Sequence, residues 1–386
     1  MTIIGVSPFS GESLAVSFSD SCITGTESYE PADALADPVY VSPGMIDLQV
    51  NGYRGIDYSM DSLGLEHISS MVDFLAAAGI TQHLPTIITS SRERILQNLA
   101  MVRVAREQDE VIRLAIPGIH VEGPFISGLA GTRGVHDAAY VRAPDVAEFR
   151  QWQEASGNTI SIVTLAPELP GAIKFIEQVA ASGVTVAIGH TAASPQLIRD
   201  AVSAGARLST HLGNGCAPLL PRLRNFLWAQ LASDKLWASI IADGDHLPPE
   251  VLQTFVRSKG LNRLILVSDV APLGGFDRGL YKWGNIDVEV FEDGHLGLPG
   301  SETLAGAAHL LDQNVVHFAR TTGTTIGDTL RLCTQNPAQL LGIDHPSAAP
   351  APGEPANLVV FRQPDGTTGR LQIVRTIIGG RTVFEA

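Results

Sequence analysis

The chain has 386 residues, of which 45% are hydrophobic and only 6% aromatic, and its formal net charge is -14. The length suits one large domain with a small accessory domain, and the charge disfavours nucleic acid or an anionic membrane as a partner. A local cluster of Arg and His could still bind an anionic substrate. The three cysteines have no paired spacing and indicate neither a disulfide framework nor a cysteine zinc motif.

The sequence shows no targeting or membrane signal. Its N-terminus, MTIIGVSPFSGESL, lacks a basic segment followed by a sustained apolar run. No apolar stretch approaches the roughly 20 residues that a membrane-spanning helix needs. We therefore expect a cytoplasmic protein.

Both ends of the chain predict short strands. The first 43 residues contain LAVSF, SCITG and PVYVSP, too few strands for a stable sheet of their own. The segment 347–386 has the same character in ANLVVF and LQIVRTIIGGRTVF. We therefore predict that residues 1–43 and 347–386 together form one small β-sandwich domain.

Between the two ends, apolar strands alternate with helical segments such as SLGLEHISSMVDFLAAAG and PQLIRDAVSAG. The predicted strands, in chain order, are GMIDLQV, TQHLPTI, LAIPGIHVE, ISIVTLAPE, VTVAIGH, ARLSTH, WASIIADG and RLILVSD. Eight strand-then-helix units favour a closed parallel (β/α)8 barrel over residues 44–346. A doubly wound sheet is the rival, but no GxGxxG follows an early strand. The segment 274–300 breaks the alternation and predicts a β-hairpin inserted after the eighth strand.

Polar residues recur at the ends of these strands. Glu122 closes the third strand, His190 the fifth, His211 the sixth and Asp269 the eighth. In a barrel, these strand ends meet at the face that carries active sites. One Glu and two His suit a divalent ion such as zinc and leave a fourth position for water. Asp269 beside such an ion could act as a general base and then as a general acid to a leaving amine.

Each of these residues alone has an ordinary structural explanation. A lone His is more often a core residue, a buried Glu can form an ion pair, and an Asp can cap a helix. After Asp269, however, Pro272 and Gly274 stand where a helix would begin. Gln49 and Asn51 alternate at the end of the first strand, so both can point into one cavity or cap the strand end.

Loops offer further candidates. His136, in RGVHD, could donate to a carbonyl oxygen as negative charge develops on it. His246, in IADGDHLPP, could hold a hydroxyl or an anionic group, although each loop histidine is equally explained as structural. Arg222 and Arg224, in LLPRLRN, could bind an anion or be ordinary surface arginines.

At these residues the chain resembles the N-acetylglucosamine-6-phosphate deacetylase family of the amidohydrolase superfamily. The matching segments, in family order, are PGMIDLQVNGYRGIDYS, LPTIITS, HVEGPFIS, GVHD, GHTAAS, THLGNG, IADGDH, SDVAP and LAGA. They span nearly the whole chain. The resemblance implies a (β/α)8 barrel with a small β-sandwich built from both termini, usually as a homodimer. It also implies one metal ion, because Gln49 and Asn51 stand where many superfamily members have His-x-His.

The resemblance implies roles for individual residues and an activity. The implied metal ligands are Glu122, His190 and His211, and the implied catalytic residues are Asp269 and His136. The implied substrate-binding residues are Asn214, Gly215, Arg222 and His246, with Gln49 and Asn51 beside them. The implied activity is metal-dependent hydrolysis of the N-acetyl group of N-acetylglucosamine 6-phosphate. Zinc is the expected metal, with iron or cobalt as other candidates.

The departures from the family pattern lie in the substrate pocket. Where the family has THLFNAM and then Arg-Glu-Pro-Gly, this chain has THLGNGCAPLLPRLRNFLW, with Gly213 and Gly215 replacing Phe and Ala. Asp245 adds a negative charge beside His246. N-acetylglucosamine 6-phosphate stays the first candidate, and these changes motivate an alternative substrate, a non-phosphorylated N-acetylhexosamine or another N-acyl compound. A catalytically silent sugar-binding protein is disfavoured by Asp269, and a barrel deaminase or cyclic-amide hydrolase by the missing His-x-His.

Overall fold

The computed structural model describes residues 1–29, 38–217, 219–301, 303–364 and 369–386. Over these residues the chain forms twenty strands: β1 (Thr2–Val6), β2 (Ser13–Ser19), β3 (Cys22–Ser28), β4 (Tyr40–Pro43), β5 (Met45–Val50), β6 (Gly52–Tyr53), β7 (Ile56–Asp57), β8 (Ile80–Ile88), β9 (Ile119–Glu122), β10 (Ile160–Leu165), β11 (Thr185–Ile188), β12 (Leu208–Ser209), β13 (Trp237–Ile240), β14 (Leu264–Leu266), β15 (Gly279–Trp283), β16 (Ile286–Val290), β17 (Leu296–Gly297), β18 (Leu358–Arg362), β19 (Gln372–Ile378) and β20 (Arg381–Glu385).

The helices fill most of the segments between the strands of the central sheet. The described residues form α1 (Leu65–Ala76), α2 (Arg92–Gln108), α3 (Glu110–Ala115), α4 (Val146–Ser156), α5 (Ala172–Ala181), α6 (Pro195–Ser203), α7 (Phe226–Leu231), α8 (Pro249–Lys259), α9 (Leu311–Thr322), α10 (Ile326–Arg331) and α11 (Gln335–Leu341). None of these helices is both long enough and apolar enough to cross a membrane.

The central sheet is the predicted parallel barrel. Its eight strands follow the order β5-β8-β9-β10-β11-β12-β13-β14, and each pairs in parallel with its neighbour. Every residue of β5, β9, β11 and β13 is buried, as expected for strands with helices outside and side chains inside. All eight predicted strands are present, and the (β/α)8 fold is confirmed.

One strand begins later than predicted. The sequence LAIPGIHVE indicates a strand from residue 114, but helix α3 occupies Glu110–Ala115 and β9 starts only at Ile119. The Asp109 carboxylate accepts a hydrogen bond from Ile112 N and so caps this short helix. Local capping therefore overrides the apolar run that predicts a longer strand.

The barrel closes just beyond the end of β14. Asp269 N donates to Gln49 O at 2.9 Å, and Val50 forms a parallel bridge with Val270. Two residues before Gln49 on the same strand, the buried Asp47 carboxylate accepts a hydrogen bond from Ser268 N at 3.1 Å. These contacts bring the first barrel strand beside the residues that follow the eighth.

Both chain ends join one second sheet, as predicted. Its seven strands follow the order β20-β19-β18-β4-β1-β2-β3 and are mostly antiparallel. Buried side chains from both ends of the chain, including Val16, Phe18, Leu358 and Ile377, form one apolar cluster there. The core of this sheet is therefore built from both ends of the chain.

The predicted insertion after the eighth barrel strand is also present. Strands β15 and β16 form an antiparallel hairpin, and β17 adds a third strand that the sequence did not predict. This small sheet has its own apolar cluster, which includes Ala271, Val288 and Leu296. Half-buried Val135 and Trp283 pack against the cluster, so it connects the insertion to the loop that carries His136.

Candidate active site

Four strand ends place polar side chains at one face of the barrel. Glu122 is the last residue of β9, and His190 and His211 each follow the end of a barrel strand by two residues. Asp269 follows the end of β14 by three residues. All four residues line the same cavity, at the carboxyl ends of the strands.

Three of these side chains converge closely. Glu122 Oε1 lies 3.2 Å from His190 Nε2 and 3.0 Å from His211 Nε2, and the two Nε2 atoms are 3.1 Å apart. Bonds of about 2.0–2.2 Å to a tetrahedral ion place ligand atoms roughly 3.3–3.6 Å apart. The observed separations are close to that spacing, so these residues could hold a metal ion.

The protonation of His190 supports the same interpretation. Its Nδ1 lies 2.9 Å from the backbone oxygen of Thr132, which can only accept a hydrogen bond, so Nδ1 carries the ring proton. In a neutral ring of this tautomer, Nε2 carries the lone pair, which is the form of imidazole that binds a metal ion. The chemistry of the donor set therefore fits a metal ion.

His136 lies beside this cluster. Its ring centroid is 4.4 Å from that of His190, and its Nδ1 is 2.7 Å from Thr89 Oγ1. Glu122, His136 and His190 also each place a ligand atom within 4.8 Å of the others, so a second triad overlaps the first. The triad that includes His211 is tighter. Burial lowers the pKa of His136 to about 3.

The backbone is unusual at three of the four strand ends. His190, His211 and Asp269 have φ values of 49°, 30° and 51°, which lie in the left-handed region. Residues other than glycine rarely adopt this conformation, and it typically costs about 1–3 kcal/mol. Such strain persists where the surrounding structure enforces it, and it is concentrated at functional sites.

Two predicted substrate-binding residues contact site carboxylates. Asn51 Nδ2 donates to Asp269 Oδ1 at 2.8 Å, and Gln49 Nε2 donates to Glu122 Oε1 at 2.9 Å. Asn51 also lines the cavity. Burial raises the pKa of Asp269 to about 6. The first barrel strand therefore orients two carboxylates that the third and eighth strands supply.

The cavity above the cluster has a volume of about 290 Å³. Besides the residues described so far, its lining includes Ile88, Gly131, Gly134, Val135, Asn214, Gly215, Ile241, His246, Trp283, Thr303, Leu304 and Gly306. None of the described residues that line it is Lys or Arg. A larger cavity of about 680 Å³ opens beside the first residues of β10 and β11, at the opposite end of the barrel, and its described lining contains no His.

A sequence profile of the amidohydrolase family matches residues 40–383. The chain belongs to the amidohydrolase family. This amidohydrolase is 31% identical over 360 residues to the N-acetylglucosamine-6-phosphate deacetylase of Bacillus subtilis, with 93% of this chain and 87% of that protein covered. The Mus musculus protein of the same name is 33% identical over 359 residues, with 90% and 84% covered.

Solved structures agree with this assignment. This amidohydrolase superimposes on the N-acetyl-D-glucosamine-6-phosphate deacetylase of Mycobacterium smegmatis with a TM-score of 0.84 and 26% identity, and 96% of each chain is covered. A mutant of that enzyme in complex with N-acetyl-D-glucosamine-6-phosphate gives the same TM-score at 27% identity, with 96% and 94% covered. The predicted family, fold and hydrolase class are confirmed.

The remaining predicted residues of this amidohydrolase fall into two groups, those that line the cavity and those that do not. Asn214, Gly215 and His246 line the cavity, and Asn214 Nδ2 is buried without a hydrogen-bond partner among the described residues. Arg222 and Arg224 are exposed and do not line it. Asn225 caps helix α7 and donates to Pro221 O at 2.9 Å, which folds this loop back on the helix.

Sequence reasoning missed the contribution of the insertion and the segment after it. Trp283, Thr303, Leu304 and Gly306 all line the cavity. The interrupted alternation of strands and helices predicted the hairpin. The segment LAGA, which contains Leu304 and Gly306, matched the family pattern but was given no role in the site. For Trp283 and Thr303 the only signal was position, because the insertion follows a barrel strand at its carboxyl end.

Proposed function

We propose that this amidohydrolase hydrolyses the N-acetyl group of N-acetylglucosamine 6-phosphate and releases acetate and glucosamine 6-phosphate. The observation that carries the proposal is the convergence of Glu122 with two imidazole nitrogens beside the buried carboxyl of Asp269. The names and near full-length similarity of the relatives supply the substrate.

Glu122, His190 and His211 are the proposed ligands of one divalent metal ion. Zinc is the first candidate, and iron and cobalt accept the same ligands. When bound, such an ion polarises the amide carbonyl and makes the attacking water more acidic. The 2.9 Å hydrogen bond that Gln49 Nε2 donates to Oε1 orients the Glu122 carboxylate.

Asp269 is the proposed proton carrier. It takes a proton as the water oxygen bonds to the acetyl carbonyl carbon, and it returns that proton to the nitrogen as the C–N bond breaks. Its hydrogen bond from Asn51 fixes the orientation of the carboxyl group. With the Thr89 hydroxyl donating to Nδ1 of His136, that imidazole carries its proton on Nε2 and can donate it to the carbonyl oxygen.

Asn214, Gly215 and His246 are the proposed contacts to the sugar and its phosphate, because all three line the cavity. Arg222, predicted for the same role, is exposed in the single chain and could reach a ligand only from outside this cavity. A second candidate substrate is a non-phosphorylated N-acetylhexosamine. It is favoured by the absence of Lys and Arg from the described lining of the cavity.

The test is acetate release by metal-loaded protein from N-acetylglucosamine 6-phosphate, N-acetylglucosamine and N-acetylgalactosamine. Preference for the phosphate ester by about tenfold or more supports the first candidate, and faster turnover of a free sugar supports the second. Asp269→Asn should abolish turnover while metal content, measured by elemental analysis, stays unchanged. Full activity in that variant would contradict the proposed proton transfer. Chelation should also remove activity, and added zinc should restore it.

We also propose that the protein is cytoplasmic and forms a homodimer. Support for a dimer comes from the loop before helix α7, where Leu219 and Leu223 are 88% and 75% exposed. Large apolar side chains that lie this close together on a surface are typical of an interface between proteins.

A further inference from the structure

Strand β15 of the insertion turns one aromatic side chain towards the cavity. Along this strand Leu280 and Lys282 are exposed, whereas Tyr281 and Trp283 are half-buried on the opposite face. Alternate residues of a strand share a face, so the hairpin presents both aromatic rings to the body of the protein. Of these two rings, only that of Trp283 lines the cavity.

The indole of Trp283 is held from two sides. Its Nε1 donates to Asp57 Oδ2 at 2.9 Å, so a residue that follows the first barrel strand fixes one edge of the ring. On the other side lies Gly306, whose φ is 95°. A Cβ atom at position 306 would lie 2.8 Å from Ala271 Cβ and 3.4 Å from Cζ3 of the indole. Position 306 therefore requires glycine because of Ala271, and the indole lies at ordinary contact distance from it.

The other groups in the cavity suit the polar atoms of a sugar. Asn51, Asn214, His246 and Thr303 offer hydrogen-bonding groups, and the metal-binding cluster lies at the closed end. A pyranose ring also has a face of C–H groups, which an aromatic ring covers well because that face is apolar and flat. Apart from the imidazole rings, Trp283 is the only aromatic ring among the described residues that line this cavity.

We propose that Trp283 is a specificity-determining residue, against which the pyranose ring of the N-acetylated amino sugar stacks. The inference rests on the proposed function, because it assigns a wall of the same cavity to the sugar. The hydrogen bond from Nε1 to Asp57 preorganises the ring before the substrate binds.

The first test is kinetic and compares Trp283→Ala, Trp283→Phe and the matched control Tyr281→Leu. Tyr281 lies on the same strand and face, packs its ring 5.1 Å from that of Phe276, and does not line the cavity. We expect Trp283→Ala to raise KM for the acetylated sugar about tenfold, or about 1.4 kcal/mol, with kcat changed less than about threefold. Trp283→Phe should restore most of the affinity, and Tyr281→Leu should leave both constants near their wild-type values.

The second test is spectroscopic and uses the inactive Asp269→Asn variant titrated with N-acetylglucosamine 6-phosphate. Trp152 and Trp237 are buried, and Trp228 is exposed and does not line the cavity, so a ligand in the cavity should change chiefly the emission of Trp283. Adding Trp283→Phe should remove the change. A change that persists in this double variant would overturn the inference.

The outcomes separate this inference from the proposed function. Wild-type protein that releases acetate, with Trp283→Ala indistinguishable from Tyr281→Leu, would overturn the role of Trp283 alone. Metal-loaded wild-type protein that releases no acetate from any of the three sugars would overturn the proposed function and this inference with it. A selective loss of affinity in Trp283→Ala, with rescue by Trp283→Phe, would support both.

Discussion

Gln49 shows how a residue that does not line the cavity can control the site. It is 1% exposed, and its Nε2 donates at 2.9 Å to the same Glu122 oxygen that faces both imidazole rings. Because Gln49 is buried, a water molecule could replace its amide as a hydrogen-bond donor only where a cavity had room for that water. Partners of this kind orient metal-binding carboxylates, and their removal typically lowers metal affinity about 10–100-fold.

We therefore expect Gln49→Leu to weaken zinc binding by about 10–100-fold, because the Glu122 carboxylate loses its fixed orientation. Competition with a chromophoric chelator measures the affinity directly. Gln82→Leu is the matched control, since Gln82 is also a buried strand glutamine but donates to Leu114 O. Equal weakening in both variants would point to a general loss of barrel stability and would contradict the specific role of Gln49.

At the scale of single residues, the sequence predicts which side chains approach one another but not how they are oriented. The strand periodicity and the barrel topology place Glu122, His190, His211 and Asp269 at one face, and the structure agrees. Nothing local requires the left-handed backbone of three of them, because it is uncommon for any residue other than glycine. Long-range contacts impose it, such as the hydrogen bond from Ser127 N to His190 O at 3.0 Å.

At the scale of elements, the barrel strands and helices follow from local sequence patterns. The insertion, in contrast, reaches the cavity through contacts with residues that are distant in the sequence. Trp283 reaches the cavity because Asp57, 226 residues earlier, accepts its Nε1 hydrogen bond. A pattern within 274–300 cannot encode that partner.

The start of helix α9 shows how burial of one carboxyl group affects stability. Asp312 is 3% exposed, and burial raises its pKa to about 6 although Arg370 Nε lies 3.7 Å from Oδ2. The folded-state pKa thus exceeds the unfolded value of 3.8. The native state therefore keeps a proton that the unfolded chain loses between these values, so this residue's contribution to stability is present below pH 4 and is lost as the pH rises through 6.

Asp312→Asn should accordingly raise Tm by about 2–4 °C at pH 7.5 and by much less at pH 4.5, as measured by differential scanning calorimetry. Asp328→Asn is the control, because Asp328 lies in the first turn of helix α10 but its side chain is half-exposed. A lower Tm for Asp312→Asn at pH 7.5 would mean that the ion pair with Arg370 outweighs the cost of burying the charge.

At the scale of the whole molecule, the loop that follows the sixth barrel strand exposes more apolar surface than its neighbours. Leu219 and Leu223 of this loop are 88% and 75% exposed, and Trp228 of the adjoining helix α7 is 47% exposed. Isolated exposed apolar residues are ordinary, but a group on one loop indicates a surface that is covered by another protein. Arg222 and Arg224 lie in the same loop, so a second copy seated there would also cover them.

The double substitution Leu219→Ser with Leu223→Ser should therefore convert the proposed homodimer into monomers of 40.9 kDa, because it removes the most exposed apolar side chains of this loop. Light scattering coupled to gel filtration measures the mass. Leu280→Ser is the control, since Leu280 is 69% exposed but lies on the outer face of the insertion. A monomeric wild-type protein would show the homodimer to be wrong, and a dimeric double variant would place the interface elsewhere on the surface.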